Sequence, residues 1–88
     1  MSFANQVRQH CKEKYVSPAR RRHQKTVTII SGKVHNELKK ELKFEDSRLP
    51  GVCGAIGANE FEKMCNVTRL CVDGPLNGAS TLFVFKLL

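Results

Sequence analysis

The apolar positions change period twice between residues 26 and 57, and each change marks an element. From Thr26 to Ile30 β-branched residues fill every position. Val27 and Ile29 share one face and Thr28 and Ile30 the other, which predicts a short, half-buried strand. Ser31 then stands at the place of a helix N-cap, where its hydroxyl can accept from a free backbone N–H of the first turn. Val34, Leu38 and Leu42 follow at i, i+4 and i+8, so a helix beginning at Ser31 is expected to bury that stripe. The polar stretch 43–48 ends the pattern, and Pro50, suited to a first helical position, opens a second stripe of Leu49, Val52, Cys53 and Ile56. Two short amphipathic helices need a third element to cover them.

The N-terminal segment supplies it. Ser2 can cap a helix in which Phe3, Val7, Cys11 and Tyr15 recur every four residues, with Arg8, Lys12 and Lys14 turned away from the stripe or along its edge. Pro18 disfavours helical geometry in the residue before it, so the helix is expected to stop near Ser17. Residues 18–25 hold, beyond the proline, nothing apolar larger than alanine and read as a solvated loop. Farther on, Asn59 can cap a short turn through Cys65 with Phe61, Met64 and Cys65 inward. Residues 68–72 then alternate as a strand, Leu70 and Val72 opposite Arg69 and Cys71. The pairs Asp73-Gly74 and Asn77-Gly78 close a hairpin with a loop of about six residues. In the last strand Phe83, Phe85 and Leu87 share a face while Leu82 and Val84 occupy the other, as in a central or covered strand.

Eighty-eight residues make a single domain, 1–88, because a chain of this size cannot support two cores. No apolar run approaches the roughly 20 residues of a membrane span, and the first ten residues lack the apolar core of a signal peptide. A cytoplasmic or nuclear location and no membrane partner are therefore expected. Cys11, Cys53, Cys65 and Cys71 form no zinc-ligand spacing, so no metal and no cofactor is expected. The one thiol with a histidine beside it in sequence is Cys11, next to His10. Adjacent helical residues face different directions, so no nucleophile and base couple can be read. An enzyme is not expected, and no catalytic residue is assigned.

Charge narrows the choice further. The net charge is +7, and all of the excess lies in residues 1–48, which hold twelve Lys and Arg against five Asp and Glu. A polyanion would meet that half first. Arg20, Arg21, Arg22, Lys25 and Lys33 are the candidate phosphate contacts, with Lys40 on the outer face of the helix from Ser31. The same residues would equally serve as a solvated surface. The helix from Leu49 carries Gly51, Gly54 and Gly57, each costing about 0.8 to 1 kcal/mol against alanine in a helix interior. Gly51, Ala55 and Ala58 lie opposite its stripe, so its outward face is smooth. Arg48 and Asn59, at its ends, are the nearest side chains able to read a base.

The order helix, strand, helix, helix, strand, loop, strand resembles the winged-helix branch of the helix-turn-helix superfamily. The resemblance covers nearly the whole chain and rests on element order, with no short diagnostic motif. It implies an α+β winged helix, three helices with a small antiparallel three-stranded sheet, in which residues 49–58 are the recognition helix and 73–78 the wing. It also implies binding to duplex DNA. The smooth helix and a wing without Lys or Arg depart from that pattern, so binding of low intrinsic sequence specificity through the basic loop and helix surface is expected. A protein-interaction module using the glycine-rich helix face is the alternative. A second copy of the chain packed through the hairpin, near Cys71, is a further candidate to cover Leu82 and Val84.

Overall fold

The computed structural model describes residues 2–44, 48–75 and 78–88. It begins with a helical rod in three pieces: α1 (Phe3–Cys11), a π-helical turn (Lys12–Val16) and α2 (Ser17–Arg21). Ser2 caps α1, its Oγ accepting the Asn5 backbone N–H at 3.2 Å. Contrary to expectation, the helix does not end before Pro18. The Ser17 N–H reaches back five residues to the Lys12 carbonyl, so one turn holds an extra residue. In a regular helix the proline ring would strike the carbonyl four residues earlier, and the wide turn relieves that collision. Part of the predicted loop is therefore helical, and Ala19 within it belongs to the core.

The extra residue also changes which side chains face inward. Val7 and Cys11 are buried, but the next fully covered position is Val16 rather than Tyr15. Tyr15 is left half-buried at the edge of the core. The rod ends where His23 turns the backbone left-handed, at φ 58°.

β1 (Thr26–Ile30) buries Val27 and Ile29 as predicted, and α3 (Ser31–Leu42) follows without a linker. Ser31 is not its cap. It is the first helical residue, fully buried, and its Oγ donates to the Gly78 carbonyl at 2.6 Å. The free N–H groups of the first turn find acceptors in the distant loop instead: Ser31 N–H on Thr81 O at 3.0 Å and Gly32 N–H on Ala79 O at 2.8 Å. Of the predicted stripe Val34 and Leu38 are buried, whereas Leu42, in the last turn, is 41% exposed.

α4 (Leu49–Gly57) packs on both α1 and α3, and α5 (Asn59–Cys65) leads into β2. Val52, Cys53 and Ile56 are buried as predicted. Ala55 is buried too, at 2% exposure, because α1 covers the face opposite the stripe. There the Arg8 Nε donates to the Ala55 carbonyl at 3.1 Å. Ala58, not Asn59, occupies the N-cap of α5, and Phe61 and Cys65 point inward.

β2 (Val67–Asp73) and β3 (Leu82–Leu87) complete a three-stranded antiparallel sheet in the order β1-β3-β2, with β3 central as its two apolar faces foretold. A bulge between Arg69 and Cys71 breaks the predicted alternation. Arg69 pairs with Phe85 and Val72 with Phe83, on the helix-facing side, while Cys71 pairs with Val84. Helices cover the face bearing Phe83 and Phe85, both fully buried. The other face leaves Ile30 at 38% exposure, with Val84 half-buried. Taking the rod as one helix, the described residues hold four helices, one more than predicted; the addition is α5, read from sequence as a short turn. Loop residues Leu76 and Asn77, and with Asn77 the first half of the expected Asn77-Gly78 turn, lie outside the described residues.

Candidate nucleic-acid interface

Where the rod passes the free edge of β1, the two leave a cleft of about 540 Å³ lined by Lys14, Tyr15, Arg22, Gln24, Lys25 and Thr28, among others. Its cations come from three places: Lys14 from the π turn, Arg22 from the end of α2 and Lys25 from the approach to β1. The side chains of Lys14, Arg22 and Lys25 make no hydrogen bond or ion pair among the described residues. Lys33, in the first turn of α3, holds its ammonium 5.8 Å from the centre of the Tyr15 ring, within cation–π range. Lys40 lines a second cleft of about 410 Å³ with Lys14, Glu37 and Glu41, so Lys14 borders both.

The sequence-predicted site residues divide into two groups. Arg22, Lys25, Lys33 and Lys40 stand around these clefts, and Arg21 is exposed on α2. Arg20 does something different. Its guanidinium donates to three carbonyls, Leu88 O at 2.8 Å, Cys65 O at 2.6 Å and Asn66 O at 2.7 Å, tying α2 to the end of α5 and to the C-terminus. Arg48 lies over the Phe3 ring at 4.7 Å and Asn59 is exposed at the start of α5, both away from the cleft lining. Lys14 and Tyr15 also line the cleft and are not among the sequence-predicted site residues. The charge of Lys14 was visible in the sequence, but its facing depends on the π turn.

Behind the cleft lies a part-buried polar link that no spacing announces. The Tyr15 hydroxyl donates to Glu37 Oε1 at 2.6 Å, and Nε2 of the buried His10 lies 2.9 Å from the same oxygen. Burial alone would raise the Glu37 carboxyl. The hydrogen bonds from Tyr15 and His10, with the charges of His10 and Lys33, outweigh burial and hold it below its ordinary value. Burial, then the Glu37 hydrogen bond, pushes Tyr15 up, so its hydroxyl remains a donor. Burial likewise pushes up the Cys11 thiol, which keeps it protonated and unreactive. His35 is buried. Its ring packs on Phe44 at 5.2 Å and its Nε2 has no partner among the described residues.

The lowered Glu37 carboxyl sets a pH dependence. A depressed folded-state value stabilises the fold above the unfolded value of about 4.5, and the gain is lost as pH falls through the folded value. Glu37→Gln is therefore expected to melt below wild type at pH 6 and to converge with it as pH drops towards 3. The side chain is 37% exposed, so the screened loss is roughly 1 kcal/mol, or about 4 to 8 °C in Tm. Parallel melting curves across that range would show that Glu37 contributes no such linkage.

α4 presents little for base reading. Pro50, Gly51 and Gly54 are its exposed positions between the ends. A Cβ on Gly51 would lie 3.3 Å from the Phe3 ring, and one on Gly57 3.5 Å from Phe83. No helix among the described residues is long and apolar enough to cross a membrane, and no group of three or more His, Cys, Asp or Glu there could hold a metal ion. No protein-family model, no curated protein and no solved structure matches this chain.

Proposed function

We propose that this chain is a nucleic-acid-binding module of low intrinsic sequence specificity, built as a winged helix whose working surface has moved from the recognition helix to the rod and β1. One observation carries the reading: Lys14, Arg22 and Lys25 converge on a single cleft while Arg8, Arg20 and Arg69 are bonded to backbone carbonyls within the fold. Cations held apart from internal partners are available to phosphates, and phosphate contacts give affinity without sequence information. The helix order and the sheet order β1-β3-β2 support the winged-helix assignment. Contact with a protein through the glycine-rich face of α4 has less support, since Gly51 and Gly57 already face Phe3 and Phe83.

The test is a binding titration between about 50 and 200 mM salt with a short random-sequence duplex and with one of its strands. Wild type is expected to bind with a steep salt dependence. Arg22→Ala with Lys25→Ala should lower the slope of log K against log salt by up to about 2 on duplex, or about 1.4 on a single strand. Arg20 stays in place, because its removal would strip three carbonyls of their donor and confound binding with folding. An unchanged slope, or no binding of either form, would remove the proposal.

A further inference from the structure

The nucleic-acid reading leaves open which form of the polymer the cleft takes, and four features of the cleft bear on that. It is a recess. A duplex groove receives elements that protrude, such as a helix, and duplex bases stay stacked inside; a recess receives a group that protrudes from the ligand. Its volume of about 540 Å³ is within the range of small-ligand clefts.

The second feature is the aromatic ring. Tyr15 lines the recess among the cations, and its hydroxyl bond to Glu37 at 2.6 Å, itself anchored by His10, fixes the ring's orientation before any ligand arrives. Lys33 is exposed, so the ammonium over the ring is free to leave it for a phosphate.

The third feature is the sheet edge. Leu87 N–H bonds Lys25 O, and Ser31 N–H bonds Thr81 O. Antiparallel pairing alternates, so Lys25, Val27, Ile29 and Ser31 turn their backbone groups to β3, while Thr26 and Thr28 turn theirs to the open edge. Those N–H and C=O groups give a base edge a neighbouring donor and acceptor. The fourth is length. The recess takes in Lys25 to Thr28 and not Ile30, a span of about 10 Å along the strand. That suits one or two nucleotides better than an acidic peptide added as a fourth strand, which would also leave Tyr15 without a stacking partner.

Resting on the nucleic-acid reading, we infer that the cleft between the helical rod and β1 binds an unpaired nucleotide of a single strand, its base stacked on Tyr15 and its flanking phosphates on Lys14, Arg22 and Lys25. Stacking on one aromatic ring is sequence-tolerant, because every base offers a π face.

The chain holds one tyrosine and no tryptophan, so its intrinsic fluorescence reports on Tyr15 alone. Titrating the full chain with oligo-deoxythymidine should quench that fluorescence. The matching duplex, oligo-deoxythymidine annealed to oligo-deoxyadenosine, should bind more weakly and quench less. By anisotropy, Tyr15→Ala should weaken single-strand binding about 10-fold or more, with the salt slope unchanged because no cation is lost. Tyr15→Phe should stay within about 3-fold of wild type, because it keeps the ring. Quenching of wild type needs no mutant, so it stands even where Tyr15→Ala fails to fold. Single-strand binding without quenching, or duplex bound as tightly as single strand, would overturn the inference while leaving the nucleic-acid reading intact. Displacement of the oligonucleotide by oligo-glutamate at equal concentration would hand the cleft to an acidic peptide. No binding of either nucleic acid would remove both readings.

Discussion

Phe85→Ala is expected to cost about 3 to 5 kcal/mol, which for a domain of this size is a Tm lower by roughly 12 to 40 °C. Phe85 is fully buried on the central strand, its ring 5.1 Å from Phe61 and 6.4 Å from Phe83. Its backbone neighbours are Val27 on one side and Arg69 on the other. Truncation would open a cavity between the central strand and the helices, beside Phe61 and Phe83. Small domains have total stabilities of about 5 to 15 kcal/mol, so the variant stands near the edge of folding. Leu38→Ala, at 2% exposure on α3, belongs to the same class at about 2 to 5 kcal/mol. Leu88→Ala, at 59% exposure, is the matched control and should melt like wild type. Wild-type melting by Phe85→Ala would place the core elsewhere.

Hydrophobic period carried most of the fold. Val27 with Ile29, Val34 with Leu38, Val52 with Ile56, and Phe83 with Phe85 were all readable as inward pairs, and all are buried. What it missed shares a cause. The π turn differs from an α turn by one residue, and a stripe of every fourth residue continued smoothly through Tyr15 gives no hint that Val16 takes the inner place. Ala55 lies opposite its stripe and was read as exposed, since a wheel shows one apolar face and α4 is covered on two. Ser31 looked like a cap because the acceptors that claim it lie in a loop near residue 80.

The site was legible as charge and illegible as geometry. Arg20, Arg21 and Arg22 are identical in sequence terms. Only the position of carbonyls 45 to 68 residues away makes Arg20 a structural tie and leaves Arg22 on the cleft. The link from Tyr15 to Glu37 spans 22 residues between helices, and no local pattern encodes it. It is also what connects the fold to the proposed chemistry, because the π turn that breaks the helical period is what leaves Tyr15 at the cleft rather than in the core.

Gly32→Ala sets two effects of opposite sign against each other. Helix propensity favours alanine over glycine by about 0.8 to 1 kcal/mol within a helix, so propensity alone predicts a gain. Packing predicts a loss. A Cβ on Gly32 would overlap the backbone oxygen of Ala79, the same oxygen that accepts the Gly32 N–H at 2.8 Å. A backbone oxygen cannot rotate away as a side chain can, so either the start of α3 or residues 78–81 must move. The movement would also loosen the Ser31 bonds to Thr81 O at 3.0 Å and to Gly78 O at 2.6 Å, exposing buried polar groups to partial loss of their partners. Overpacking of this kind costs about 1 to 3 kcal/mol and each compromised buried bond about 1 more, so a net loss of roughly 2 to 3 kcal/mol is expected. Gly54→Ala is the counterpart, since on α4 nothing lies within 4 Å of the added Cβ. There propensity acts alone, and a gain of up to about 1 kcal/mol is expected. Thermal melts of the two variants should move in opposite directions from wild type. If Gly32→Ala melts at or above wild type, α3 does not take its N-terminal acceptors from residues 78–81.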